Sequence, residues 1–99
     1  MTAEEVADLF CLSQRASSVV ESHFGGSACT LCVQDGAEAG QTVAHVHVHV
    51  LPRRRGDFER NDDVYDALAA HDQGEEAQKG WRSAEEMEEE AARLRRLFE

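Results

Sequence analysis

The chain has 99 residues, with 10 Lys plus Arg against 20 Asp plus Glu and a formal net charge of −10. That balance excludes a general nucleic-acid or anionic-membrane surface, and no apolar run approaches the roughly 20 residues that a bilayer-spanning helix needs. The length suits one small domain, whose core gains from a partner. Three cysteines and no charged-then-apolar leader predict a soluble, intracellular protein in a reducing compartment.

Thr2, with Glu5 three residues on, forms a capping box that opens a helix predicted over 2–25. Val6, Leu9, Phe10, Val20 and Phe24, with Ala16 between, recur at helical spacing, and Gly25-Gly26 supplies a left-handed stop. "SACTLCVQD", residues 27–35, reads as a strand ending in the turn signal Asp35-Gly36. Cys29 and Cys32 have C-x-x-C spacing, but three residues apart on a strand they face opposite sides, so burial as small apolar side chains is the better reading than a redox or zinc pair. The short loop "GAEAGQT", 36–42, fits an antiparallel hairpin. Its glycines let backbone amides approach an anion closely.

Then comes "TVAHVHVHVLP", 42–52. Strict alternation predicts a strand with His45, His47 and His49 on one face, roughly 6.5 to 7 Å apart, and Val46, Val48 and Val50 on the other. The valines read as core and the histidines as a site, and Pro52 is expected to end the strand. Arg53, Arg54 and Arg55 follow, a local attraction for anions on an otherwise repelling surface. The mostly charged stretch 53–80 reads as a mobile loop with a short helix at 62–70. Ser83 repeats the capping pattern for a last helix over 83–98, whose stripe is Met87, Ala91, Leu94, Leu97 and Phe98. Its five glutamates at 85–90 precede three arginines, which suits the helix dipole. The whole is one α+β domain: a two-stranded hairpin over 27–50 packed with an amphipathic helix, plus a C-terminal helix.

Three histidines alternating with valine require a common cause. Two at i and i+2 could share a zinc ion, but the third sits too far along and no carboxylate or cysteine completes the set. The other reading is nucleophilic catalysis on phosphate: an imidazole attacks near neutral pH through one nitrogen while the other donates to an acceptor, and its neighbours orient it or carry charge.

The pattern His-Val-His-Val-His-Val-Leu at 45–51 resembles the signature of the histidine triad family of nucleotide hydrolases and transferases. The segments "EEVADLF", "VQDG", "EAGQTV", "HVHVHVLPR", "GDF", "RND" and "WRS" extend the resemblance from Glu4 to Phe98, toward the dinucleoside triphosphate hydrolases of that family. It implies hydrolysis of diadenosine triphosphate to AMP and ADP through a nucleotidyl-histidine intermediate, with His47 as nucleophile and the backbone carbonyl of His45 orienting its ring. His49, Gln34, Gly40, Gln41, Thr42 and Val43 match phosphate-contacting positions. The resemblance also implies a homodimer and no protein-bound cofactor or metal, with Mg or Mn accompanying the substrate. The expected location is the cytoplasm, and also the nucleus.

Family members carry strands before the helix that opens this chain, so the domain is expected to be a truncated one. Ala37 stands where the family usually has proline, which should loosen the loop. Two functions follow: an active hydrolase, or a form with weak or no catalysis that acts as a nucleotide-binding or protein-interaction module. Tyr65, flanked by Asp62, Asp63 and Asp66, is a candidate for phosphorylation by a tyrosine kinase, against packing of a short helix; phosphate there would add roughly 1.5 to 2 negative charges near the site.

Overall fold

A computed structural model describes residues 1–72 and 82–99. It contains helix α1 (Ala3–His23), strand β1 (Ala28–Val33), a 3-10 turn (Ala37–Ala39), strand β2 (Val48–Arg53), helix α2 (Asp63–Asp72) and helix α3 (Ala84–Arg96). The expected loop character of 73–80, and Trp81 of the "WRS" segment, lie outside the described residues.

α1 begins as its capping box requires. Thr2 Oγ1 accepts from Glu5 N at 3.1 Å, and Glu5 Oε1 accepts from Thr2 N at 3.1 Å. The same backbone hydrogen bond from Thr2 holds the Glu5 carboxyl below its ordinary value. The helix ends where Gly25 turns left-handed at φ +68°. Gly25 N then donates to Ser22 O and Gly26 N to Glu21 O, the paired bonds that close off a helix terminus. Gly26 is also needed for packing, because a Cβ there would lie 3.1 Å from the carbonyl oxygen of Arg53.

The buried face of α1 differs from the expected stripe. Val6, Phe10 and Phe24 are exposed, whereas Ser13 and Ser17 are buried, with Leu9, Ala16 and Val20 half-buried beside them. Two serines lie inside because each hydroxyl satisfies itself within the helix: Ser13 Oγ donates to Leu9 O at 2.8 Å and Ser17 Oγ to Ser13 O at 2.7 Å. Their small size lets α1 approach the sheet, where Cys29 Sγ reaches Ser17 O at 3.5 Å. Burial, followed by the charge of Glu21, pushes the Cys29 thiol up, consistent with the apolar role expected of it.

β1 and β2 pair antiparallel from Ala28↔Arg53 to Val33↔Val48. Paired residues share a face, so Cys29, Leu31, Val33, Val48, Val50 and Pro52 lie on the side of α1. Ala28, Thr30, Cys32, His49, Leu51 and Arg53 lie on the other. Cys29 and Cys32 thus face opposite sides, as expected. α1 sits mainly over β2, which leaves Leu31 and Val33 of β1 exposed.

Two expectations about β2 are corrected. The strand starts at Val48, so His45 and His47 lie before it and the hairpin connection runs through residues 34–47. Backbone groups there bond locally instead of joining the ladder: His45 N donates to Val43 O at 2.8 Å, and His45 O accepts from side chains. Pro52 does not end the strand, which continues to Arg53. Among the described residues the ladder has two strands, each with an unpaired outer edge, and a residue without an amide donor fits there.

α2, close to the expected 62–70, buries Val64 and Leu68, one turn apart on one face. α3 is capped by Ser83 Oγ, which accepts from Glu86 N at 3.1 Å. Its stripe is only partly covered: Leu94 and Phe98 are half-buried, while Met87 and Leu97 are exposed. The contact to α1 runs through Arg15, which donates to Phe98 O and lies 5.3 Å from the Phe98 ring centroid.

Candidate functional site

The site is built where β1 ends and β2 begins. His47 Nδ1 is 2.9 Å from His45 O. A carbonyl oxygen can only accept, so Nδ1 carries the proton and the Nε2 of a neutral ring keeps its lone pair. His45 Nδ1 bonds Val46 O at 2.9 Å by the same logic. His49, the one histidine inside β2, is 3.3 Å by Nε2 from Gln34 Oε1. Its ring meets that of His47 edge-on, with centroids 4.9 Å apart and planes at 86°. The three imidazoles therefore do not form the evenly spaced line expected of a continuous strand. Only His49 lies in the strand, and His47 instead bonds a carbonyl two residues earlier.

The loop explains how these rings are held. Gly36 and Gly40 both have positive φ, +94° and +91°. Gly36 N donates to Gln41 Oε1 at 2.8 Å, and Gln41 Nε2 donates to Val43 O at 2.9 Å and to His45 O at 3.4 Å. Gln41 thus braces the same carbonyl that orients His47, a role its spacing did not reveal. Gly40 is required twice over: beyond its φ, a Cβ there would lie 2.7 Å from Gln34 Nε2 and drive that side chain from His49. Ala37 opens the 3-10 turn that leads into Gly40, whose N donates back to Ala37 O at 3.0 Å. Thr42 and Val43 are exposed on the loop between Gln41 and the histidines.

Two hollows of about 300 Å³ each flank the triad, one beside Gln34, Gln41 and His45, the other beside His49 and Leu51. That size is at the low end for small-molecule sites. Among the described residues, no group of three or more His, Cys, Asp or Glu is placed to hold a metal ion.

The three consecutive arginines do not act alike. Arg54 and Arg55 are exposed, but Arg53 is paired with Asp57, whose carboxyl its hydrogen bonds hold down at about 2. Arg53 is therefore not the anion attractor expected from charge alone. Tyr65 lies on α2, 56% exposed, so it does not serve as the packing residue of that helix.

A HIT domain matches residues 1–56. The whole chain is 50% identical to 62% of the bis(5'-adenosyl)-triphosphatase of Dictyostelium discoideum. It is 44% identical to 58% of the bifunctional bis(5'-adenosyl)-triphosphatase/adenylylsulfatase of Arabidopsis thaliana. Among solved structures, the Caenorhabditis elegans NitFhit protein superposes on 75% of this chain and 18% of its own, with a TM-score of 0.56 and 43% identity. The chain spans about three-fifths of the length of the first two relatives.

Proposed function

Because the chain belongs to the HIT domain family, we propose that it hydrolyses dinucleoside triphosphates, cleaving diadenosine triphosphate to AMP and ADP through a nucleotidyl intermediate on His47. The observation that carries this reading is the 2.9 Å bond from His47 Nδ1 to His45 O. It fixes the tautomer in which Nε2 is the nucleophile, and its acceptor stabilises the positive charge that reaches Nδ1–H as Nε2 bonds to phosphorus. In the first step a P–N bond forms while the bond to the ADP oxygen breaks and ADP leaves with that electron pair. In the second, water breaks the P–N bond, AMP departs and His47 is restored. His49 and Gln34 hold the phosphate-facing side, and the Gly40–Val43 turn presents backbone close to the phosphate chain. The two relatives named as triphosphatases support the substrate class.

The chain takes its substrate with Mg or Mn and has no resident cofactor. It works as a homodimer, a reading supported by the exposed apolar residues Phe10, Leu31 and Val33. Free Cys11, Cys29 and Cys32 support a reducing compartment, the cytoplasm and with it the nucleus. Exposed Tyr65, among aspartates, suits a tyrosine kinase; phosphorylated protein should bind nucleotide more weakly at matched ionic strength, and equal binding would contradict this.

A second reading, nucleotide binding with little turnover, is favoured by the openness of the site, where His45 is exposed and the sheet has two strands among the described residues. One experiment separates the two. Purified chain is incubated with diadenosine triphosphate and the products are resolved by chromatography. Release of AMP and ADP in equal amounts supports the hydrolase; saturable binding without release supports the second reading.

A further inference from the structure

β2 ends on a residue whose side chain is almost fully engaged. Arg53 Nε and Nη2 donate to the two carboxylate oxygens of Asp57 at 2.7 and 3.1 Å, Nη2 donates also to Asn61 Oδ1 at 3.1 Å, and Nη1 donates to Thr30 Oγ1 at 3.1 Å. The guanidinium lies 5.1 Å from the centroid of the Phe58 ring. Asp57 Oδ2 accepts in addition from Arg54 N at 3.2 Å. One side chain thereby ties β1, β2 and the loop that leads into α2. Its side chain is 11% exposed, and a planar fork meeting a carboxylate at two points is a geometry lysine cannot reproduce.

What this clasp holds is next to the triad. Alternation along β2 puts Arg53 on the face of His49 and Leu51. That face opens into an apolar cleft of about 300 Å³ lined by His49, Leu51, Phe58, Val64 and Leu68. Phe58 comes from the clasped loop and Val64 and Leu68 from the helix that the loop delivers. His49 lines the same cleft, its ring edge-on to that of His47.

We infer that Arg53 is a positioning residue for the triad: through Asp57 it fixes the loop and α2 as the wall of the cleft facing His49, and so the placement of His49 beside His47. The inference rests on the nucleotidyl-transfer reading of these histidines. The rival role, direct contact with substrate phosphate, conflicts with the geometry, since four of the five guanidinium N–H donors are already engaged.

The test uses the full chain with Arg53→Met, Arg53→Lys, Asp57→Asn and the Arg53→Met/Asp57→Asn double substitution. Kinetic constants for diadenosine triphosphate and the NMR resonances of the His49 ring are measured for each. Each single variant should lower kcat about tenfold with KM changed less than about twofold, the loss typical of a small misplacement. Each should also shift the His49 resonances, and the double variant should fall no further than either single one, because all break the same link. A raised KM in Arg53→Met with Asp57→Asn unaffected would identify a phosphate ligand and overturn the inference, as would unchanged His49 resonances. If Arg53→Met does not fold, Asn61→Ala removes one partner only and should move the same readouts in the same direction. Absence of turnover in the unmodified chain would overturn the hydrolase reading alone, and the His49 resonances would still decide this one.

Discussion

The residue just before β2 and the residue that ends it both carry polar side chains, and the fold treats them in opposite ways. Before the strand, His47 is anchored by one nitrogen to a backbone carbonyl, which leaves the other for the nucleophilic role proposed above. At the finish, Arg53 commits nearly every donor to protein partners. A reactive group must be held without being used up, whereas a structural group is worth most when fully satisfied. The lesson is that charge and sequence position alone do not distinguish a ligand-binding cation from a structural one; the partner list does.

The sharpest test of that contrast is removal of the proposed nucleophile. His47→Asn should abolish the trapped nucleotidyl adduct and lower turnover by at least about 10⁴-fold, whereas His45→Asn, which keeps the carbonyl, should cost no more than roughly tenfold. A labelled adduct on the His47 variant, separated after acid-free quenching, would reverse the assignment. Next in size is Gly40→Ala. The left-handed backbone costs on the order of 1–2 kcal/mol, and the added Cβ displaces Gln34 from His49, so urea midpoint and turnover should fall together; an unchanged midpoint would show that the turn adapts.

At the other end the probe is pH. The Asp57 carboxyl stands at about 2 against an ordinary 3.8, chiefly through the Arg53 hydrogen bond. A folded-state pKa below the unfolded one gives stability that is full above the unfolded value and is lost as pH falls through the folded value. The clasp should therefore be intact at neutral pH, weaken below about pH 4 and be lost as pH falls through about 2. Acid titration of stability for the parent and Asp57→Asn should show a constant gap above pH 4 that closes below it; a gap independent of pH would contradict the pairing. The smallest effect is expected at the two following arginines. Arg54→Ala and Arg55→Ala, both exposed, should change stability by no more than about 0.5 kcal/mol, and a larger loss by thermal melting would show that the clasp extends beyond Arg53.

Much of the fold is legible locally. The caps at Thr2 and Ser83 and the glycine stop at Gly25-Gly26 form from residues within a turn of one another, so spacing suffices to find them. The alternation of 45–50 likewise finds the strand over 48–50, with Val48 and Val50 on one face and His49 on the other. It overstates the strand, because whether His45 O joins a ladder or accepts from His47 and Gln41 depends on a loop fold that periodicity does not encode. The buried side of α1 departs from its apolar pattern for a similar reason. Hydrophobicity favours Val6 and Phe10, but close approach to the sheet favours serines that satisfy their own hydroxyls.

By itself, the sequence determined the chemical inventory: three imidazoles, two glutamines and the glycines of the turn, in an order that resembles one family, together with the ends of the outer helices. Those features depend on residue identity and on contacts within a few positions. Only the tertiary structure decided which nitrogen of His47 is free, that Gln41 braces the His45 carbonyl, and that Arg53 pairs with Asp57. Each of these depends on which hydrogen-bond partner arrives in space, and a polar group with several partners within reach has its role set by the one the packing delivers.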